Sequence, residues 1–188
     1  MQNKPAANQP LPALHSPTPL LYSTSLSKLA GCNVWLKLEN MQPTQSFKLR
    51  SVGSMCIEAV TEQNAKRFVT VGDTNAALAV SYSARQLGVP ATVFVPNGMA
   101  ASAVRSKIEL ERAEIVEGGR TVKDAYMAAC AYVRENEGAV MIDSADDAAA
   151  VAGNATIVPE IGIQLQRREP TVIIAPVGSG GLLAGIIT

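Results

Sequence analysis

Hydrophobic and polar positions follow two rhythms along this chain. Asn33-Val34-Trp35-Leu36-Lys37-Leu38-Glu39 alternates with a period of two and predicts a strand, and Gln42-Pro43-Thr44-Gln45 reads as the loop after it. From Ser46, the expected N-cap, apolar side chains recur at Leu49, Val52, Cys56, Ala59 and Val60. That three- and four-residue spacing predicts a helix with one buried face. Arg67-Phe68-Val69-Thr70-Val71 predicts a strand, Gly72-Asp73-Thr74-Asn75 a loop, and residues 76–87 a helix closed by Gly88. The unit then recurs. Ala91-Thr92-Val93-Phe94-Val95 is the next strand, a helix runs on to about Arg112, and Ala113-Glu114-Ile115-Val116-Glu117 is a further strand. A helix over 121–136 ends at Gly138 and leads to a strand at Val140-Met141-Ile142. Residues 148–166 read as helix interrupted near Gly153 and Pro159, and 171–177 as a fully buried strand running into a glycine loop and a last helix. Strands that alternate with helices need crossover connections, so the predicted class is α/β with parallel sheet.

Composition narrows the function classes. The 188 residues suffice for one core or two small ones, and 47% are hydrophobic against 17% charged, as in a globular chain. Sixteen basic residues balance sixteen acidic ones, leaving no basic field for nucleic acid, so a small-molecule partner is expected. Residues 171–188 are free of charge, but Pro176 and the glycines from Gly178 divide them, which argues against a membrane anchor. Cys32, Cys56 and Cys130 match no metal-ligand spacing, and a reduced, cytoplasmic setting is the expectation. Residues 1–15 are polar and Pro-rich, without the apolar core of a signal peptide, and read as a flexible arm. His15, in a predicted loop, supports neither a metal site nor a triad.

Two features could carry chemistry. Ser46-Phe47-Lys48-Leu49-Arg50 puts an amine in the first turn of a helix, where the macrodipole disfavours positive charge, and a neutral amine attacks aldehydes. The bland reading is a solvated surface lysine. Gly178-Ser179-Gly180-Gly181-Leu182 follows an apolar stretch and opens a helix, a setting in which successive backbone N–H groups can close on a phosphate. It lacks the Gly-Lys-Ser/Thr of a Walker loop, and Leu183 stands where a dinucleotide motif needs glycine. Taken alone, it could equally be a tight turn without a ligand.

Together, Gln42-Pro43-Thr44-Gln45-Ser46-Phe47-Lys48-Leu49-Arg50 and Gly178 to Leu182 resemble the Schiff-base segment and phosphate loop of the tryptophan-synthase-β-like (fold type II) pyridoxal-phosphate enzymes. The resemblance runs from about Ser16-Pro17-Thr18-Pro19-Leu20 to the last residue. Asp146-Asp147, Gly153, Thr156 and Glu160-Ile161, with Leu87-Gly88-Val89-Pro90-Ala91-Thr92, resemble the serine/threonine dehydratase group. The resemblance implies two α/β domains with the cofactor between them. Residues 52–143 would form the smaller domain, and 16–51 with 144–188 an incomplete larger one.

It also implies roles. Lys48 would form the Schiff base and later take the α-proton, Phe47 would pack on the cofactor ring, and Asn75 would bond its phenolic oxygen. The backbone of Gly178, Ser179, Gly180, Gly181 and Leu182 would hold the phosphate, while Ser46, Gly72, Asp73, Thr74, Asn75 and Ala76 would surround the substrate. L-Serine or L-threonine would lose its β-hydroxyl and yield a 2-oxo acid and ammonia. Threonine-synthase-like or cysteine-synthase-like chemistry is the alternative within the family, and a non-catalytic homologue the alternative outside enzymes.

Three departures from the family pattern stand out. Val71-Gly72-Asp73-Thr74-Asn75 replaces a Ser-x-Gly-Asn type loop, so Asp73 could bring a negative charge near a substrate carboxylate; it could otherwise face solvent or cap the next helix. Gln45 stands where a small residue is usual, and Ser51 where glycine is. The family also continues well past the glycine loop. If Thr188 is the natural end, the stretch 171–177 and the last helix are expected to lack neighbours, and a homo-oligomer or partner would cover them or the chain would aggregate; if the chain is a fragment, the missing part completes both fold and site.

Overall fold

The computed structural model describes residues 11–72, 74–98, 103–143 and 147–188. The first described element is a short strand, β1 (Leu20–Tyr22), followed by a helix, α1 (Thr24–Ala30), neither of which the sequence pattern announces. Ser23 caps α1 by accepting from the Leu26 N–H, and Gly31 closes it in the left-handed conformation. β2 (Trp35–Lys37) is the core of the expected 33–39 strand and pairs antiparallel with β1, Leu21 opposite Leu36. A single 3-10 turn, Glu39–Met41, leads into the loop before α2 (Lys48–Thr61).

α2 buries Leu49, Val52, Cys56 and Ala59 as the spacing predicts, but Ser46 is not its N-cap. Gln45 adopts φ +60°, its N–H donates to the Gln42 carbonyl at 2.7 Å, and the Arg50 N–H donates to the Phe47 carbonyl at 2.9 Å. This tight backbone entry satisfies the first turn without a side-chain cap. The Ser46 hydroxyl is left buried with no partner.

β3 (Arg67–Val71), α3 (Asn75–Leu87) and β4 (Ala91–Val95) form the predicted unit. Thr74 caps α3, its hydroxyl accepting from the Ala77 N–H, and Gly88 ends it at φ +70°. α4 (Ala103–Leu110), β5 (Glu114–Glu117), α5 (Val122–Glu135) and β6 (Ala139–Met141) complete a parallel sheet of order β5-β4-β3-β6. A reciprocal capping box between Thr121 and Asp124 fixes the start of α5.

The predicted 148–166 helix is two helices, α6 (Ala148–Ala155) and α7 (Ile157–Gln164). The break falls at Thr156, not at Gly153 or Pro159. Thr156 turns its hydroxyl onto the Gly153 carbonyl at 2.7 Å. Pro159 sits in the first turn of α7, where its missing N–H costs nothing, and Gly153 stays inside α6.

The expected buried strand over 171–177 is absent. This stretch is irregular, with Val172 71% and Ile174 93% exposed, because a parallel strand forms only against a neighbour that takes its hydrogen bonds and covers its faces. α8 (Gly181–Ile187) does form after the glycine loop.

The main core lies between α2 and α3 on one side and β3 and β4 on the other, around Leu49, Val52, Phe68, Val80 and Ala91, with Ala149 and Ala150 of α6 joining it. Cys56 lies in this core, and burial pushes its thiol up to about 12.

Candidate active site

Connection lengths decide which helix ends meet. Five residues join α2 to β3 and three join α3 to β4; α3 packs on β3 and β4, and α2 packs beside α3 over the same core. Each helix therefore runs against the strands, so their first residues, Lys48 and Asn75, lie at the carboxyl edge of the parallel sheet. That edge is where open α/β sheets bind ligands.

Lys48 is half-buried, and its Nζ stands 5.5 Å from the centroid of the Phe47 ring. Thr44 and Ser46, in the loop that enters α2, are both buried, and neither hydroxyl has a partner. A buried hydroxyl without a hydrogen bond is costly, so two in the loop that leads to Lys48 suit a polar ligand. Gln45, between them, points outward, and its Oε1 accepts from Lys107 Nζ of α4 at 2.6 Å.

Two residues after Lys48, Arg50 is fully buried and anchors the first turn of α2. Its Nε and Nη2 donate to Glu39 Oε2 and Oε1 at 2.8 and 2.7 Å. Its Nη1 and Nη2 donate to Glu160 Oε1 and Oε2 at 2.7 and 2.9 Å, and Nη1 also reaches Thr156 Oγ1 at 2.9 Å. Lys37 Nζ donates to Glu160 Oε2 at 2.8 Å, to Gln164 and to the Thr18 carbonyl. Two cations meet two carboxylates, so the cluster is neutral and its buried charges are paired.

Burial works to raise the pKa of Glu39, but hydrogen bonds from Arg50 and Thr18 outweigh it and hold the carboxyl below its ordinary value. Glu160 is likewise penalised by burial, yet Arg50 and Lys37 bring it down to about 2. His15, assigned no role from the sequence, touches Thr156 Oγ1 at 3.3 Å, and burial followed by the nearby Arg50 charge lowers its pKa. The sequence reading missed this cluster as a unit. Its signal was present: Lys37 and Glu39 fall two apart in the alternating 33–39 run, although Glu39 lies in the turn after β2, and Arg50 sits among the apolar positions of α2.

The glycine loop reaches the same region through α6. A Cβ on Gly153 would lie 2.2 Å from the Arg50 carbonyl oxygen, and one on Gly185 would lie 2.6 Å from Asn154 Cβ. The first turns of α2 and of α8 are therefore both pressed against α6 at Gly153–Asn154. Gly178, Ser179 and Gly180 lead into α8, Gly180 at φ +88°, with nothing within 4 Å of where a Cβ on Gly178 or Gly180 would stand. Neither glycine is there for packing. Gly181 is the first residue of α8, and the Leu182 side chain is buried. Gly72, at φ +89°, follows β3; Thr74 and Asn75 are exposed at the start of α3, and Ala76 is half-buried. Asp73 lies outside the described residues.

A parallel α/β scaffold, an amine in the first turn of a helix at the sheet's carboxyl edge, and a glycine loop opening another helix are the parts that a lysine-anchored cofactor needs. The comparisons give the family. Residues 11–188 match the model of the "pyridoxal-phosphate dependent enzyme" family, and the chain belongs to it. It is 38% identical over 175 residues to mouse L-serine dehydratase/L-threonine deaminase, covering 93% of this chain and 53% of the relative. Among solved structures, the L-serine ammonia-lyase of the fungus Rhizomucor miehei superposes with a TM-score of 0.84 at 39% identity, over 93% of this chain and 55% of the other. Maize serine racemase superposes with a TM-score of 0.83 at 26% identity, over 92% and 51%. The chain thus spans about half the length of the relatives it matches.

The residues present fit pyridoxal phosphate. Lys48 offers the amine, the Phe47 ring lies beside it, the orphaned hydroxyls of Thr44 and Ser46 await polar partners, and the glycine loop leaves open room for a phosphate. Among the described residues no group of acidic, histidine and cysteine side chains could hold a metal ion, and no helix is long and apolar enough to cross a membrane.

Proposed function

We propose that this chain carries the Schiff-base lysine and the phosphate loop of an ammonia-lyase that converts L-serine or L-threonine to a 2-oxo acid and ammonia. The observation that carries the proposal is Lys48, held against the Phe47 ring at the sheet's carboxyl edge, in a chain 38% identical to an L-serine dehydratase/L-threonine deaminase.

Pyridoxal phosphate, when bound, supplies an electron sink for the pair left behind when the α-proton departs. The protein does the rest. The Lys48 amine would anchor the cofactor and, when free, would be the base for the α-proton. Phe47 would pack on the cofactor ring and Asn75 would hold its phenolic oxygen, while the backbone from Gly178 to Leu182 would hold the phosphate. Gly72, Asp73, Thr74, Asn75 and Ala76, together with Ser46, would receive the substrate carboxylate. In the same reading, residues 52–143 form the smaller unit and 16–51 with 144–188 part of the larger, with the site between them. The three cysteines are all free, which supports a reducing, cytoplasmic setting.

The likeness to serine racemase favours one further reading, because racemisation begins with the same α-proton removal and differs in whether the β-hydroxyl leaves. The first test is the absorbance spectrum after pyridoxal phosphate is added and the excess removed, alongside Lys48→Ala. A visible band is expected in the parent chain and absent from the variant. If both chains give the same spectrum, Lys48 is not the anchor. With L-serine offered, pyruvate formation supports the lyase and D-serine the racemase; turnover to neither is the outcome expected of a non-catalytic homologue or of a chain that needs the rest of the larger domain.

A further inference from the structure

Gln45 has no part in the proposed chemistry, yet two features set it apart. Its backbone sits at φ +60°, a conformation glycine adopts freely and residues with a Cβ avoid, and its side chain accepts from Lys107 Nζ at 2.6 Å. A strained residue that persists is held by what its side chain gains. Here the gain is a short, charge-assisted hydrogen bond to a different part of the fold.

The placement of that bond is specific. Lys107 lies on α4 next to Ile108, which is fully buried against Ala77 and Leu78 in the first turn of α3. The bond therefore joins the loop that enters α2, three residues before Lys48, to the helix packed on the turn that opens with Asn75.

We propose that Gln45 and Lys107 are a positioning pair that ties the Lys48 loop to α4 and sets how far the cofactor amine can move from the start of α3. This rests on the reading of Lys48 as the Schiff-base lysine. Neither residue touches the reacting atoms; both act through the loop. A residue without a side chain at position 45 would make the turn without strain but could not make the tie.

The test uses the 188-residue chain as Gln45→Ala, Lys107→Met, the double variant and Gln45→Glu, which keeps an acceptor for the ammonium. Two quantities are measured: amide hydrogen exchange over residues 45–50 without cofactor, and the rate at which bound pyridoxal phosphate is lost, followed by the Lys48-dependent band. Gln45→Ala and Lys107→Met should each raise both by about two- to fivefold, the range of a partly exposed charged hydrogen bond. The double variant should do no more than the larger single change, and Gln45→Glu should stay close to the parent. Additive effects in the double variant, or exchange unchanged in Lys107→Met, overturn the tie. Coupled exchange with an unchanged loss rate overturns the positioning role. Should the parent chain show no Lys48-dependent band, the functional reading fails, while exchange without cofactor still decides whether the tie exists.

Discussion

At the scale of single residues, Arg50 does the most to hold the site in shape. Its guanidinium spans Glu39 from the turn after β2 and Glu160 from α7, and both bonds hold the turn that carries Lys48. Replacing Arg50 with Met would leave two carboxylates without their shared cation. The expected loss is about 3–5 kcal/mol of unfolding free energy, the usual result of removing one partner of a buried pair, read from urea midpoints at constant slope. Acid should weaken the same cluster. The Glu160 carboxyl is held at about 2 in the folded chain against an ordinary 4.5, so the folded state binds its proton less readily than the unfolded state. The stability this group contributes is complete above pH 4.5 and is lost as pH falls toward 2. Melting temperature should drop across that window, and Glu160→Gln, though less stable at neutral pH, should show a shallower drop.

At the scale of elements, the site depends on helices that touch backbone to backbone. α6 approaches α2 at Gly153 so closely that a methyl group would lie 2.2 Å from the Arg50 carbonyl oxygen. Gly153→Ala should therefore push the two helices apart and cost about 1–3 kcal/mol or more, as overpacking does. Gly162 in α7 supplies the contrast, since nothing lies within 4 Å of its missing Cβ and its φ is not in the left-handed region. Gly162→Ala should stabilise by roughly 0.5–1 kcal/mol through helix propensity alone. Opposite signs in the two variants, by chemical denaturation, would show that contact and not composition keeps glycine at 153. The sheet elements were legible because buried parallel strands read as short apolar runs between helical patterns, as at Phe68-Val69 and Val93-Phe94-Val95. β1 and α1 were not: each is short, and Leu21, Leu26 and Leu29 remain exposed, so no periodic buried face marks them.

For the whole molecule, the chain presents Val172, Ile174 and Val177 to solvent, together with Ile187 of α8. An apolar surface of this kind invites association. Ile174→Lys should lower self-association by light scattering while moving the unfolding free energy by no more than about 0.5 kcal/mol, as surface changes do. The sequence by itself determined the parallel α/β class, the helix that Lys48 opens and the glycine loop before α8. These rest on local periodicity, turn chemistry and a recognisable residue order, all carried by neighbours in the chain. It also pointed to a buried strand at 171–177, which did not form, because an apolar run becomes a strand only where another strand takes its hydrogen bonds. Only the tertiary structure decided that Arg50 is the cation between Glu39 and Glu160, that Gly153 is a contact point, and that Gln45 reaches Lys107. Each of these joins residues 11 to 110 positions apart, and such pairings are set by how packed helices and strands come together, which no local pattern records.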